Sequence, residues 1–215
     1  MSKNDESLMS DILFKETFAN IENRRQLERL LELILELPKG FLKDKLEVTY
    51  ESPIKKNHVN QKSIRGDIMV RFDDTTINIE CYTNFNDASI DKSIYYMMRI
   101  QANNLQIGDK YYEMGKTIQI NFVENCKLDL EEDELVSSFH ITYDRNLGVK
   151  LMYNEFCIKI VRIDKARELG YTNDELDKWL SFIAARSNEE RRDIAEGDEL
   201  LVELNDWVHK YVNDE

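Results

Sequence analysis

Between Gly66 and Tyr82 the chain carries two apolar rows in alternation, Ile68, Val70 and Phe72, then Ile77, Ile79 and Cys81. Successive side chains of a strand point to opposite faces, so this pattern is satisfied by a hairpin that buries both rows together. A slip of one residue would expose all of them. With Asp73 to Thr76 as the turn, Phe72 pairs with Ile77 and Asp67 with Tyr82. Asp67, Met69, Asn78, Glu80 and Tyr82 then share the other face. Opposed residues lie about 5 Å apart at Cβ and diagonal ones roughly 7–8 Å, so the carboxylates of Asp67 and Glu80 can converge on one ion. Hard oxygen ligands suit magnesium, which takes one or two carboxylates and keeps several waters. The plainer alternative is an ordinary hairpin whose polar face meets solvent.

Around this hairpin the period changes. Phe14, Phe18, Ile21, Leu27, Leu30, Leu31, Ile34 and Leu35 recur at steps of three and four, which predicts helices with one buried face, stopped by Pro38 and Gly40. Val48–Tyr50 reads as a strand, and Asp91–Leu105 as a helix with Ile94, Tyr95, Met98 and Leu105 on a common side. Thr117–Val123, Phe139–Tyr143 and Phe156–Ile163 read as further strands. After Gly170, Thr172 or Asn173 can cap a helix carrying Leu176, Trp179, Leu180 and Ile183. A last helix carries Leu200, Leu201, Leu204, Trp207 and Val208. The order predicts an α/β core over 1–169, with a central mixed sheet flanked by helices, and a C-terminal helical extension over 170–215 packed on it. A chain of 215 residues is long enough to bury such a core.

Composition removes several function classes. With 29 basic against 42 acidic residues the net charge is −13, which argues against coating nucleic acid through bulk positive charge but leaves room for a local basic cleft. Cys81, Cys126 and Cys157 form no CxxC pair, so neither a disulfide framework nor a zinc site is indicated, and a reducing compartment fits. Residues 1–11 are polar and acidic, and no run approaches the roughly 18 apolar residues of a membrane span, so the expectation is a cytoplasmic protein with no membrane partner. His58, His140 and His209 stand apart from one another, and no phosphate-cradling glycine loop or nucleophile elbow is present.

The hairpin residues resemble the PD-(D/E)XK nuclease superfamily, in particular a bacterial family of transposases or recombination-promoting nucleases. That hallmark is an Asp on one strand and hydrophobic-Glu-x-Gln or hydrophobic-Glu-x-Lys on the next, here Asp67 and Ile79-Glu80-Cys81-Tyr82. Asp11-Ile12-Leu13-Phe14-Lys15-Glu16-Thr17-Phe18 is similar to the family's opening helix. Lys92-Ser93-Ile94-Tyr95-Tyr96, Gly108-Asp109-Lys110-Tyr111, Thr117–Phe122 and Trp179-Leu180-Ser181-Phe182 follow in the family's order, so the resemblance covers most of residues 8–210. It implies a restriction-endonuclease-like core and a DNA endonuclease dependent on Mg2+ or Mn2+, associated with mobile elements or recombination. Asp67 and Glu80 would hold the metal, with the Cys81 carbonyl as a further ligand.

The chain departs from the pattern at Tyr82, whose phenol supplies no cation for the developing phosphorane charge. Either the Tyr82 hydroxyl positions water, or a lysine from elsewhere, such as Lys15 on the first helix, supplies the charge. With neither, the fold would serve as a nucleic-acid- or protein-binding regulatory module. Asp11 is either an outer acidic residue of the site or, with Ser10, a helix cap.

Residues 53–66 carry Lys55, Lys56, Lys62 and Arg65 and no acid, and lead straight into Asp67. A basic approach of this kind suits a phosphate backbone, with Arg71 and Lys92 extending it, or is simply a soluble loop. Neutralising four phosphates corresponds to a salt slope of about −3.6. Tyr95, Tyr96, Tyr111 and Tyr112 would stack on bases if exposed, though aromatics at helical spacing more often belong to a core. The Glu189–Glu199 region reads as a solvated helical face. A homodimer is the assembly that duplex-cutting enzymes commonly form.

Overall fold

Ser10 opens the first helix, its hydroxyl accepting from the Leu13 amide at 3.3 Å, and satisfies one of the four donors that a helix start leaves unpaired. The computed structural model describes residues 7–54, 64–105, 107–145, 148–172 and 174–213. Helix α1 (Asp11–Ala19) and helix α2 (Arg24–Ile34) turn their predicted faces inward: Phe14 and Phe18 pack ring to ring at 5.0 Å, and Leu27, Leu30, Leu31 and Ile34 are buried. Glu28 and Glu32 of α2 are also buried, because each carboxylate accepts a backbone amide of the following turn, Asp44 at 3.0 Å and Leu42 at 2.9 Å.

Strands β1 (Glu47–Ile54), β2 (Ile64–Phe72), β3 (Thr75–Tyr82), β4 (Lys116–Val123), β5 (Val136–Arg145) and β6 (Gly148–Arg162) form a mixed sheet in the order β1-β2-β3-β4-β6-β5. The β3/β4 and β4/β6 pairs are parallel and the other three antiparallel. Helix α3 (Asp87–Asn104) makes the crossover from β3 to β4, opened by a capping box between Asn86 and Ser89. Beyond β6 come α4 (Ile163–Leu169), α5 (Glu175–Ala184), α6 (Asn188–Ala195) and α7 (Glu199–Asn213). Trp179, Leu180, Phe182 and Ile183 of α5 and Leu201, Leu204 and Val208 of α7 share one apolar cluster with α1, α2 and the sheet face formed by Ile68, Val70, Ile77, Ile79, Ile120 and Phe122. Among the described residues no helix is long and apolar enough to cross a membrane.

Several expectations shift. The hairpin turn holds two residues, Asp73 and Asp74, with Asp73 left-handed at φ 47°, so Phe72 pairs with Thr75 and the register moves by two. An even shift preserves the faces and places Asp67 opposite Glu80 instead of Tyr82. The polar hairpin face is covered by α3, whose inner residues are Ser93, Tyr96, Met97, Ile100 and Gln101. Ile94, Tyr95 and Met98, expected inside, point outward, because the strip they would have faced is polar. Asp174 caps α5 in place of Thr172 or Asn173, since its carboxylate accepts from both Leu176 and Asp177. The Glu189–Glu199 region is not wholly solvated: Arg191 is fully buried and donates to Asn205.

Candidate active site

The β2/β3 backbone ladder reaches Ile68 opposite Ile79. One step further, the Asp67 amide donates to a side chain, Glu80 Oε1, at 3.3 Å. Glu80 is 2% exposed and accepts two more bonds, from Asn78 Nδ2 at 3.2 Å and from Lys92 Nζ to Oε2 at 2.8 Å. Burial, then the charge of Asp67, pushes its carboxyl above the usual range, while Lys92 and Asn78 oppose the rise. Asp67 is likewise raised by burial, opposed by Lys15.

Lys15 arrives from α1. Its ammonium lies 3.0 Å from Asp67 and 2.9 Å from Asp11, with its side chain only 9% exposed. Burial works against that charge most strongly, yet bonds to Asp11 and Asp67 raise its pKa overall. Asp11 is therefore not the helix cap, a role Ser10 takes; it is an outward carboxylate, one helical turn from Lys15, that completes a bridge to Asp67. Lys92 is held in the same manner: burial opposes its charge, and Glu80 more than compensates. The Tyr82 and Tyr96 rings flank it, 4.9 and 5.0 Å from Nζ. Tyr82 stacks edge-on against Phe85 at 5.1 Å. Its hydroxyl is buried near Lys92 and Ser93 with no hydrogen bond of good geometry among the described residues, and burial followed by the Glu80 charge pushes its pKa up to about 12. At neutral pH it is a neutral phenol. The Cys81 side chain turns to the opposite face, Sγ 3.5 Å from the Met9 carbonyl oxygen.

Asp67, Glu80, Tyr82, Asp11 and Lys15 thus gather around one locus. Arg65 is exposed on β2 beside it, whereas Lys55, Lys56 and Lys62 lie outside the described residues. Of the tyrosines, Tyr96 is buried while Tyr95 and Tyr111 are exposed. Sequence reasoning placed Lys92 on the basic approach instead of on Glu80. It placed Asn78 on the face of Glu80 without giving it a role, and gave none to Gln119 and Asn121; all three stand buried beside Glu80. The signal for Lys92 was its spacing of four from Tyr96, which puts both on one helix face.

Asp67 is partly exposed and Glu80 buried, each is paired with a lysine ammonium, and their hard oxygens are of the kind that hold a divalent cation. Among the described residues no group of three His, Cys, Asp or Glu side chains is placed to hold a metal ion.

In comparisons with known proteins, a family model described as PD-(D/E)XK nuclease family transposase matches residues 8–215. No curated protein and no solved structure matches the chain.

Proposed function

This chain belongs to the PD-(D/E)XK nuclease family transposases, with the family's restriction-endonuclease-like α/β fold, and on that premise we propose that it hydrolyses DNA phosphodiesters with a divalent metal ion, Mg2+ or Mn2+. The observation that carries the reading is the pairing of Glu80 with Asp67 at the end of the β2/β3 ladder, each bound to a lysine. Asp67, Glu80 and the Cys81 carbonyl would hold the ion. Such an ion supplies Lewis acidity to a phosphoryl oxygen and lowers the pKa of a water.

The remaining work falls to the chain's own side chains. Lys92 supplies the positive charge that Tyr82 lacks: its side chain is 41% exposed, so its ammonium can leave Glu80 for the negative charge growing on the phosphate. Tyr82 and Tyr96 confine that movement between their ring faces. Lys15, far less exposed, stays with Asp67 and Asp11 and fixes the Asp67 carboxylate. Arg65, with Lys55, Lys56 and Lys62, would draw the backbone toward Asp67. The cell compartment that fits a thiol-bearing chain without disulfides is the cytoplasm.

The test is nicking of supercoiled plasmid with Mg2+ or Mn2+, beside Asp67→Ala and Glu80→Ala. Loss in both variants supports the site, and nicking that persists in both removes it. DNA binding without nicking by the wild type would instead favour a regulatory module built on the same fold.

A further inference from the structure

The sheet face beneath α3 is built unlike the rest of the core. Thr76, Asn78 and Glu80 of β3 stand beside their lateral partners Thr117, Gln119 and Asn121 of β4, and all six are buried. The flanks of this strip are ordinary: Met69 packs with Tyr96 and Ile100, and Met97 with Ile158 and Ile160. Buried amides add little net stability even when paired and cost when they are not. Among the described residues Asn78 Oδ1 and Asn121 Nδ2 have no hydrogen-bond partner. Stability alone would favour aliphatic side chains at these positions.

The hydrogen bonds form one chain of side chains that begins at Glu80. Asn78 Nδ2 donates to Glu80 Oε1 and, at 2.8 Å, to Gln119 Oε1; Gln119 Nε2 donates to Asn121 Oδ1 at 2.8 Å. Ser93 Oγ, next to Lys92 on α3, lies 3.4 Å from that same oxygen. Because an ionised carboxylate only accepts, Asn78 must present its NH2 to Glu80, and the orientation of each later amide follows. Lys92 closes the circuit on Oε2. Gly66 leaves the space: a Cβ there would lie 2.3 Å from Asn78 Oδ1 and 2.7 Å from Met69 Sδ.

We propose that Asn78, Gln119 and Asn121 are positioning residues, a buried amide relay that locks the Glu80 carboxylate and docks α3 so that Lys92 meets it. The inference rests on Asp67 and Glu80 being the metal ligands. Groups that orient a ligating side chain influence affinity as well as geometry, commonly by about 10–100-fold.

Gln119→Met keeps length and bulk while deleting both relay bonds, and Asn121→Leu serves if that variant does not fold. Thr117→Val is the control, lying on the same strip but bonded to Gln101 and not to the relay. Each would be measured by thermal unfolding, Mn2+ titration and plasmid nicking at saturating Mn2+. Gln119→Met should unfold at a somewhat lower temperature, because it leaves the Asn78 and Asn121 amides each one partner short, bind Mn2+ about 10–100-fold more weakly, and lose kcat with little change in KM for DNA, whereas Thr117→Val keeps wild-type Mn2+ affinity. Unchanged Mn2+ affinity in both relay variants overturns the relay and leaves the metal site intact. A wild type that binds no Mn2+ overturns both.

Discussion

Replacing Glu80 with Gln separates what this side chain does for the fold from what it does for the site. Its carboxylate is 2% exposed, and burying an ion costs several kcal/mol before its partners are counted. Gln fits the same space, and its oxygen can still accept from Asn78 Nδ2 and the Asp67 amide. What is lost is the bond to Lys92, whose half-exposed ammonium reaches water at a cost of about 0–1 kcal/mol. What is gained is removal of a buried charge and of its repulsion by Asp67. Because the partner left behind, Lys92, is half-exposed and not buried, the gain wins by about 1 kcal/mol, less than when both partners of a buried pair are made apolar. For a chain of this size that is roughly 2–4 °C per kcal/mol in Tm. Scanning calorimetry without metal should show Glu80→Gln unfolding a few degrees higher than the wild type. Adding Mn2+ at about 100 times its Kd should stabilise the wild type by about 2.7 kcal/mol and leave the variant unmoved. A variant destabilised by about 3 kcal/mol or more without metal would show instead that the carboxylate's bonds outweigh the cost of its burial.

Lys92→Met should reduce metal-saturated nicking by about 100-fold or more, the usual effect of removing one transition-state donor, while Mn2+ affinity holds or tightens as Glu80 loses a competitor; undiminished nicking would remove Lys92 from the reaction. Gly66→Ala should cost about 1–3 kcal/mol by urea denaturation and weaken Mn2+ binding as well, because its methyl group strikes both Asn78 and Met69. Glu175 pairs bidentately with Arg29, at 2.7 and 2.5 Å, and these bonds lower its carboxyl below the ordinary 4.5. That stabilisation is complete above pH 4.5 and disappears as pH falls through the lower folded value. Glu175→Gln should therefore lose about 1 kcal/mol at pH 7 and show a shallower acid limb in a pH series of unfolding curves.

Much of the site could be read from residue order because strands carry their own ruler. The alternation that sends Ile68, Val70, Ile77 and Ile79 inward sends Asp67 and Glu80 together elsewhere, and this survives a two-residue error in the turn. Lys15 was within reach for a similar reason: Phe14 and Phe18 fix the buried side of α1, and Asp11 lies one turn before the lysine. The inner face of α3 was read wrongly because hydropathy assumes that a helix buries its apolar stripe. Here the surface beneath it is made of Asn78, Gln119 and Asn121, so Ser93 and Gln101 turn inward and Met98 turns out.

Sequence by itself determined the α/β order of elements, the common face of the two carboxylates and the absence of a cation at Tyr82, since each depends on residue type and a local period. Only tertiary structure decided that the polar face is roofed by α3, that Lys92 stands on Glu80 and Lys15 on Asp67, and that buried amides tie β3 to β4. Those contacts join residues from elements far apart along the chain, and their geometry is set by how helices pack across a twisted sheet, which no local spacing encodes.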